Sequence, residues 1–119
     1  MSFDWREYLG LAKELAGVPR CDYSQEAAER SAVSRAYYAA FCWTRNYAEA
    51  KLGFRPQKTA DDHKLLREHL KHHDPKLASA LNKLRGWRNS CDYKDNVPNL
   101  PQQAKASIRL AENIIERCV

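Results

Sequence analysis

Hydrophobic and polar positions divide the chain into periodic stretches separated by polar or proline-bearing breaks. Trp5, Tyr8, Leu9, Ala12, Leu15 and Ala16 recur at steps of three and four, the spacing of one helix face. They predict a first helix from about Phe3 to Ala16, with Ser2 as its cap and Gly17-Val18-Pro19 as its stop. Asp22 with Gln25 then resembles a capping box, and Ser24 competes for the same role. A second helix runs from there to about Leu52, where Gly53 ends it. Its middle, Ala36 to Trp43, holds eight residues without a charge, enough to cover the circumference of a helix. A helix apolar on every side is normally buried on every side. The long second helix is therefore expected at the centre of the fold, with the others around it. The run is too short, and too closely flanked by charge, to span a bilayer.

Thr59 stands where it would cap a short third helix from about Ala60 to His72, with Leu65, Leu66 and Leu70 inward. Asp74-Pro75 is a strong start signal, since proline suits the first helical position, and it opens a fourth helix from Pro75 to about Tyr93. After the polar segment Lys94 to Leu100, Asn99 with Gln102 is expected to cap the last helix. Its stripe is Ala104, Ile108, Ala111, Ile114, Ile115 and Cys118. No stretch alternates convincingly as a strand. The expected fold class is all-α: an up-and-down bundle of four main helices plus one short helix, forming a single domain over residues 1–119.

Composition narrows the functional classes only a little. Hydrophobic residues make up 44% and charged ones 29%, as in an ordinary soluble globular chain. The net charge of +5 permits binding to a polyanion without requiring it. Cys21, Cys42, Cys91 and Cys118 form no CxxC pair and fit no zinc pattern, and Cys42 and Cys118 read as small core residues. No basic segment precedes an apolar one at the N-terminus, so a cytoplasmic, reducing location is the default expectation. No Walker-type GxxxxGK[ST] loop and no GxGxxG occurs, and neither a cofactor nor a metal is expected.

The fourth helix carries the anomaly that matters most. At about 100° per residue, Leu77, Leu81, Leu84 and Cys91 share one side, Trp87 lies at its margin, and Arg88 falls in the centre of that apolar stripe. A guanidinium does not readily lose its charge, so it needs an acceptor or water there. Asp92 is four residues on, and Arg85 lies one turn earlier on the same side. Asn89 and Tyr93 add polar groups at the flanks. Two readings compete: an ion pair between Arg88 and Asp92 that braces the helix end, and a cleft in which Arg88 grips a phosphate or stabilises developing negative charge.

SRAYYAAF at Ser34 to Phe41, followed by LRGWRNSCDY at Leu84 to Tyr93, resembles the HEPN domain family, named for higher eukaryotes and prokaryotes nucleotide-binding. Phe3-Asp4-Trp5 through Leu15 is also similar to small single-domain bacterial members. The resemblance implies a bundle of four or five helices, usually a homodimer. It further implies RNA-directed activity, since many members are metal-independent endoribonucleases or toxins, often paired with a small nucleotidyltransferase-type antitoxin. The family signature is an Arg, a polar residue next, and a His four to six positions beyond the Arg. Arg88 matches the Arg and Asn89 the polar residue, but positions 92 to 95 are Asp, Tyr, Lys and Asp, and the His is absent. Metal-free RNA cleavage needs groups that transfer protons near pH 7, and tyrosine, near 10 when unperturbed, serves poorly.

The expected function is therefore binding of RNA, a nucleotide or a nucleotidyltransferase-type partner, without catalysis. Its cleft would be centred on Arg88, with Arg85, Asn89, Asp92, Tyr93 and Arg35 as binding residues. The alternative is a toxin-type endoribonuclease using Arg88 and Tyr93. Arg35 is expected either to pair with an acid or to line the same cleft. His63, His69, His72 and His73 cluster on or just after the third helix and are expected to form a polar face, although His69 and His73 have a spacing seen in metal sites. Tyr37 and Phe41 are expected in the core rather than in a base-stacking platform with Tyr38, Trp43 and Tyr47. Lys51, Arg55 and Lys58 surround a basic loop that is expected to be solvated.

Overall fold

The central helix begins at Ser24, whose hydroxyl oxygen accepts from the Ala27 N–H at 3.0 Å. This satisfies one of the donors left open at a helix start. The computed structural model describes residues 3–17 and 24–119. The Ser2 cap, the Val18-Pro19 stop, the Asp22 cap and Cys21 lie outside the described residues. Among the described residues five helices follow in order: α1 (Arg6–Gly17), α2 (Gln25–Lys51), α3 (Asp62–His73), α4 (Pro75–Tyr93) and α5 (Leu100–Arg117). Among the described residues there is no strand, and no helix is long and apolar enough to cross a membrane.

The protein is a helical bundle built on α2, against which α1, α5 and α4 pack, while α3 leans chiefly on α4. Within the uncharged run, Ala36, Tyr37, Ala39, Ala40, Phe41 and Cys42 are buried, whereas Tyr38 and Trp43 are half-buried. Both exceptions place a polar tip at the edge of the core, whereas the Tyr37 hydroxyl is satisfied inside it by His63 Nδ1 at 2.6 Å. Trp43 Nε1 donates to the Cys118 carbonyl at 2.9 Å, and Tyr38 reaches Arg88. The alanines let neighbouring helices come close, and Leu66, Leu70, Leu77, Leu81, Leu84 and Ile114 fill the remaining volume.

Local chemistry sets the ends of the elements. Gly53 takes a φ of 70°, and Phe54 N–H bonds back to the Ala48 carbonyl at 3.1 Å as the chain leaves α2. α3 starts later than the Thr59 signal suggests. Asp62 turns its carboxylate back to the loop, accepting from the N–H groups of Gln57 and Lys58 at 2.8 and 3.0 Å. Asp74 caps α4 through the Leu77 N–H (3.3 Å), with Pro75 beginning the helix. The same carboxylate accepts two bonds from Arg117 of α5, at 2.8 and 2.9 Å. The Asn99 cap is corrected: Asn99 has a φ of 55° and makes no side-chain cap bond. It serves the turn into α5 through its tolerance of left-handed backbone.

Candidate functional site

Arg30 of α2 holds the end of α4 that carries Arg88. Its Nη1 donates to the carbonyls of Cys91 (2.9 Å) and Lys94 (2.6 Å), and its Nη2 to that of Asp95 (2.8 Å). Its Nε pairs with Glu26 at 3.0 Å. A cationic fork on open carbonyls satisfies acceptors at a helix end and complements the negative pole of the dipole. The last turns of α4, with Asn89, Asp92 and Tyr93, are thereby fixed against α2. No local sequence signal marks Arg30 for this role, because the carbonyls lie about sixty positions away in the chain.

Arg88 has a side chain only 17% exposed. Its nearest company is aromatic: Cζ lies 5.6 Å from the centre of the Tyr37 ring and 5.2 Å from that of Tyr38. Nη2 donates to Tyr38 Oη at 2.8 Å, and Nη1 donates to Asn89 Oδ1 at 3.2 Å. Nε lies 2.8 Å from Asp92 Oδ2, so the ion pair four residues apart is formed. The Nε–H is not aimed at that oxygen, however, and Nε is buried with no aligned acceptor. Only two of the five guanidinium N–H groups therefore make aligned hydrogen bonds within the chain. The charge is balanced while the hydrogen-bonding capacity is not, so the structure combines the brace with an unsaturated cation.

Beside Arg88 opens a concavity of about 640 Å³, to which Arg85, Arg88, Asn89, Ser90, Tyr93 and Lys94 contribute. Neither Arg85 nor Lys94 has a carboxylate at ion-pair distance among the described residues. Tyr93 is 75% exposed and stands at the rim. Asp92 sits against Arg88 without lining the hollow. Arg35 is not brought to it: its guanidinium lies 5.2 Å above the Tyr8 ring and lines a neighbouring cleft.

The histidines separate. His69 and His73 stack on each other at 4.3 Å, and His69 Nε2 is bonded to the Leu52 carbonyl, away from Arg88. Among the described residues no group of His, Cys, Asp and Glu is arranged to hold a metal. His63 instead stacks on Phe41 at 3.9 Å, with Nδ1 2.6 Å from Tyr37 Oη. Burial, then the charges of Arg88, Arg85 and Arg67, press its pKa below the usual 6.5. Burial pushes the Tyr37 hydroxyl up to about 12, so it stays protonated and neutral at physiological pH. In sequence His63 was one of four histidines on a polar helix, and nothing set it apart.

No curated protein and no solved structure matches the chain. The family model of the HEPN domain matches residues 21–119, a span that takes in α2 to α5 and both ends of the Arg88–Tyr38 contact. The chain thus belongs to the HEPN domain family.

Proposed function

We propose that this HEPN domain binds RNA or a nucleotide by a phosphate group in the concavity beside Arg88, without cleaving it. The observation that carries this reading is the incomplete saturation of the Arg88 guanidinium: beyond the buried Nε–H beside Asp92, one N–H on Nη1 and one on Nη2 have no acceptor within the chain, while Tyr38 and Asn89 hold the group's orientation. Phosphate oxygens match a guanidinium fork in geometry and charge. Arg85 and Lys94 on the same wall add positive charge with no acidic partner, and Tyr93 at the rim offers an aromatic face to a base. Positions 92 to 95 hold no imidazole, which favours binding over proton transfer. A homodimer, and a nucleotidyltransferase-type antitoxin as partner, belong to the same proposal and rest on the family relationship. Sedimentation velocity and co-purification test these two.

Fluorescence anisotropy with a labelled hexauridylate tests the central reading. Wild-type protein is expected to bind it with an affinity that falls linearly with log salt. Folded Arg88→Ala is expected to bind at least about tenfold more weakly, the effect of removing one charge-assisted hydrogen bond. Equal binding by the two proteins overturns the assignment. EDTA-resistant cleavage of the RNA that disappears in Arg88→Ala would instead establish the endoribonuclease alternative.

A further inference from the structure

A larger cleft of about 720 Å³ lies between α1, α2 and the segment that leads into α3, and it is lined by Tyr38, whose hydroxyl bonds Arg88. A hollow of this size suits a ligand of nucleotide dimensions. Trp5, Tyr8, Tyr38 and His63 give it half-buried ring surface, and Arg35 and Arg45 give it charge. Both guanidinium groups rest on rings: Arg35 over Tyr8 at 5.2 Å, and Arg45 over Trp5 at 5.8 Å. Stacking uses the face of a guanidinium and leaves its N–H edge available. Arg35 makes no hydrogen bond or ion pair among the described residues, and Arg45 spends its edge only on two 3.3 Å contacts with Asn46 Oδ1.

Two acids also line the cleft. The Asp62 carboxylate is occupied by the N–H groups of Gln57 and Lys58. Glu49 is exposed, and Lys58 also lines the cleft. His63 Nδ1 is taken by Tyr37, whereas Nε2 has no protein partner among the described residues. Rings for a base, cationic edges for a phosphate and one open imidazole nitrogen converge here, and Tyr38 joins them to Arg88.

We propose that this cleft is a second binding site, taking one nucleotide unit with its base against the Tyr38–His63 wall and its phosphate on the Arg35 and Arg45 edges. A further phosphate of the same strand would lie on Arg88. The inference rests on the RNA-binding reading of Arg88 and adds where the neighbouring nucleotide goes. The shared chemistry is a nucleoside monophosphate, whether free or within a strand.

The test compares wild type, Arg88→Ala and the double variant Arg35→Gln/Arg45→Gln, with folding checked by circular dichroism. The probes are AMP, labelled hexauridylate and an oligo-glutamate peptide. AMP is expected to shift the His63 ring resonances saturably in wild type and in Arg88→Ala, but not in the double variant. The double variant is expected to bind hexauridylate at least about tenfold more weakly, with a salt slope shallower by about 0.7 for each phosphate no longer neutralised. Arg45→Lys, which keeps the charge and removes the planar fork, is expected to fall between. Saturation by AMP but not by hexauridylate would assign the cleft to a free nucleotide and overturn its place on a strand. If the double variant binds hexauridylate like wild type while Arg88→Ala fails, the cleft proposal falls and the Arg88 reading stands. If Arg88→Ala binds normally while the double variant fails, the Arg88 reading falls together with the further phosphate placed on Arg88, and the cleft keeps only its own nucleotide. Displacement of hexauridylate by oligo-glutamate, with no AMP effect on His63, would mark a protein-binding groove and overturn the proposal.

Discussion

Tyr38 Oη accepts a hydrogen bond from Arg88 Nη2 at 2.8 Å across the α2–α4 interface. The tyrosine thereby steers a guanidinium it cannot neutralise, since a phenol supplies an oxygen without a charge. Tyr38→Phe keeps the ring under the cation and removes the acceptor. It is expected to cost about 1–2 kcal/mol in urea unfolding, the range of a hydrogen bond to a charged group at a partly wet site. RNA affinity is expected to fall by a few fold as Arg88 loses its orientation. An unchanged midpoint and unchanged affinity would show that the contact positions nothing.

Arg88→Lys separates charge from geometry. Lysine retains the positive charge near Asp92 but not the planar fork that bonds Tyr38 and Asn89 together. The variant is expected to keep the salt dependence of binding while its affinity drops about five- to tenfold, roughly 1–1.4 kcal/mol at RT ln of that ratio. Anisotropy titrations at several salt concentrations read both quantities.

Arg30→Ala tests how the helix end is held. Removing three bonds to carbonyl oxygens leaves the end of α4 without its cationic cap. A loss of about 2–3 kcal/mol is expected in denaturant unfolding, with faster amide exchange around Ser90 to Lys94. Uniform exchange across α4 would contradict a local anchoring role.

His63 gives the fold a pH dependence of known sign. Its folded pKa lies below the unfolded value, so the unfolded state takes up the proton first as pH falls. The stability from the neutral, stacked ring is fully present above about pH 6.5 and is lost as pH drops through the folded pKa. Urea midpoints between pH 7.5 and 5 are expected to decline, and His63→Gln is expected to flatten that decline. Asp74 has the same sign in a lower window: the hydrogen bond from Arg117 holds its carboxyl below 3.8, and its contribution fades only in strong acid.

How far the sequence foretold this arrangement depended on whether the signal was local. Asp74-Pro75 gave the start of α4, and the uncharged run gave the central position of α2, because caps and periodicity act within a few residues. Arg88 was conspicuous because a charge on an apolar stripe violates the helical pattern, and its Asp92 contact followed from spacing. Its aromatic seat, the unaligned Nε–H and the departure of Arg35 towards Tyr8 depend on how α1 and α4 meet α2. One-dimensional spacing carries no such information. Asn99 misled because the same residue type serves caps and left-handed turns. Arg30 and His63 went unmarked since their partners are remote in the chain.

Side-chain NMR of the Arg88 Nε–H group is the most direct measurement of the central claim, because that resonance reports on the guanidinium whose Nη1 and Nη2 each keep an N–H without an acceptor in the chain. Titration with hexauridylate is expected to move that resonance saturably, in step with the anisotropy curve. A resonance that stays fixed while RNA binds elsewhere on the protein would contradict the claim that Arg88 receives the phosphate.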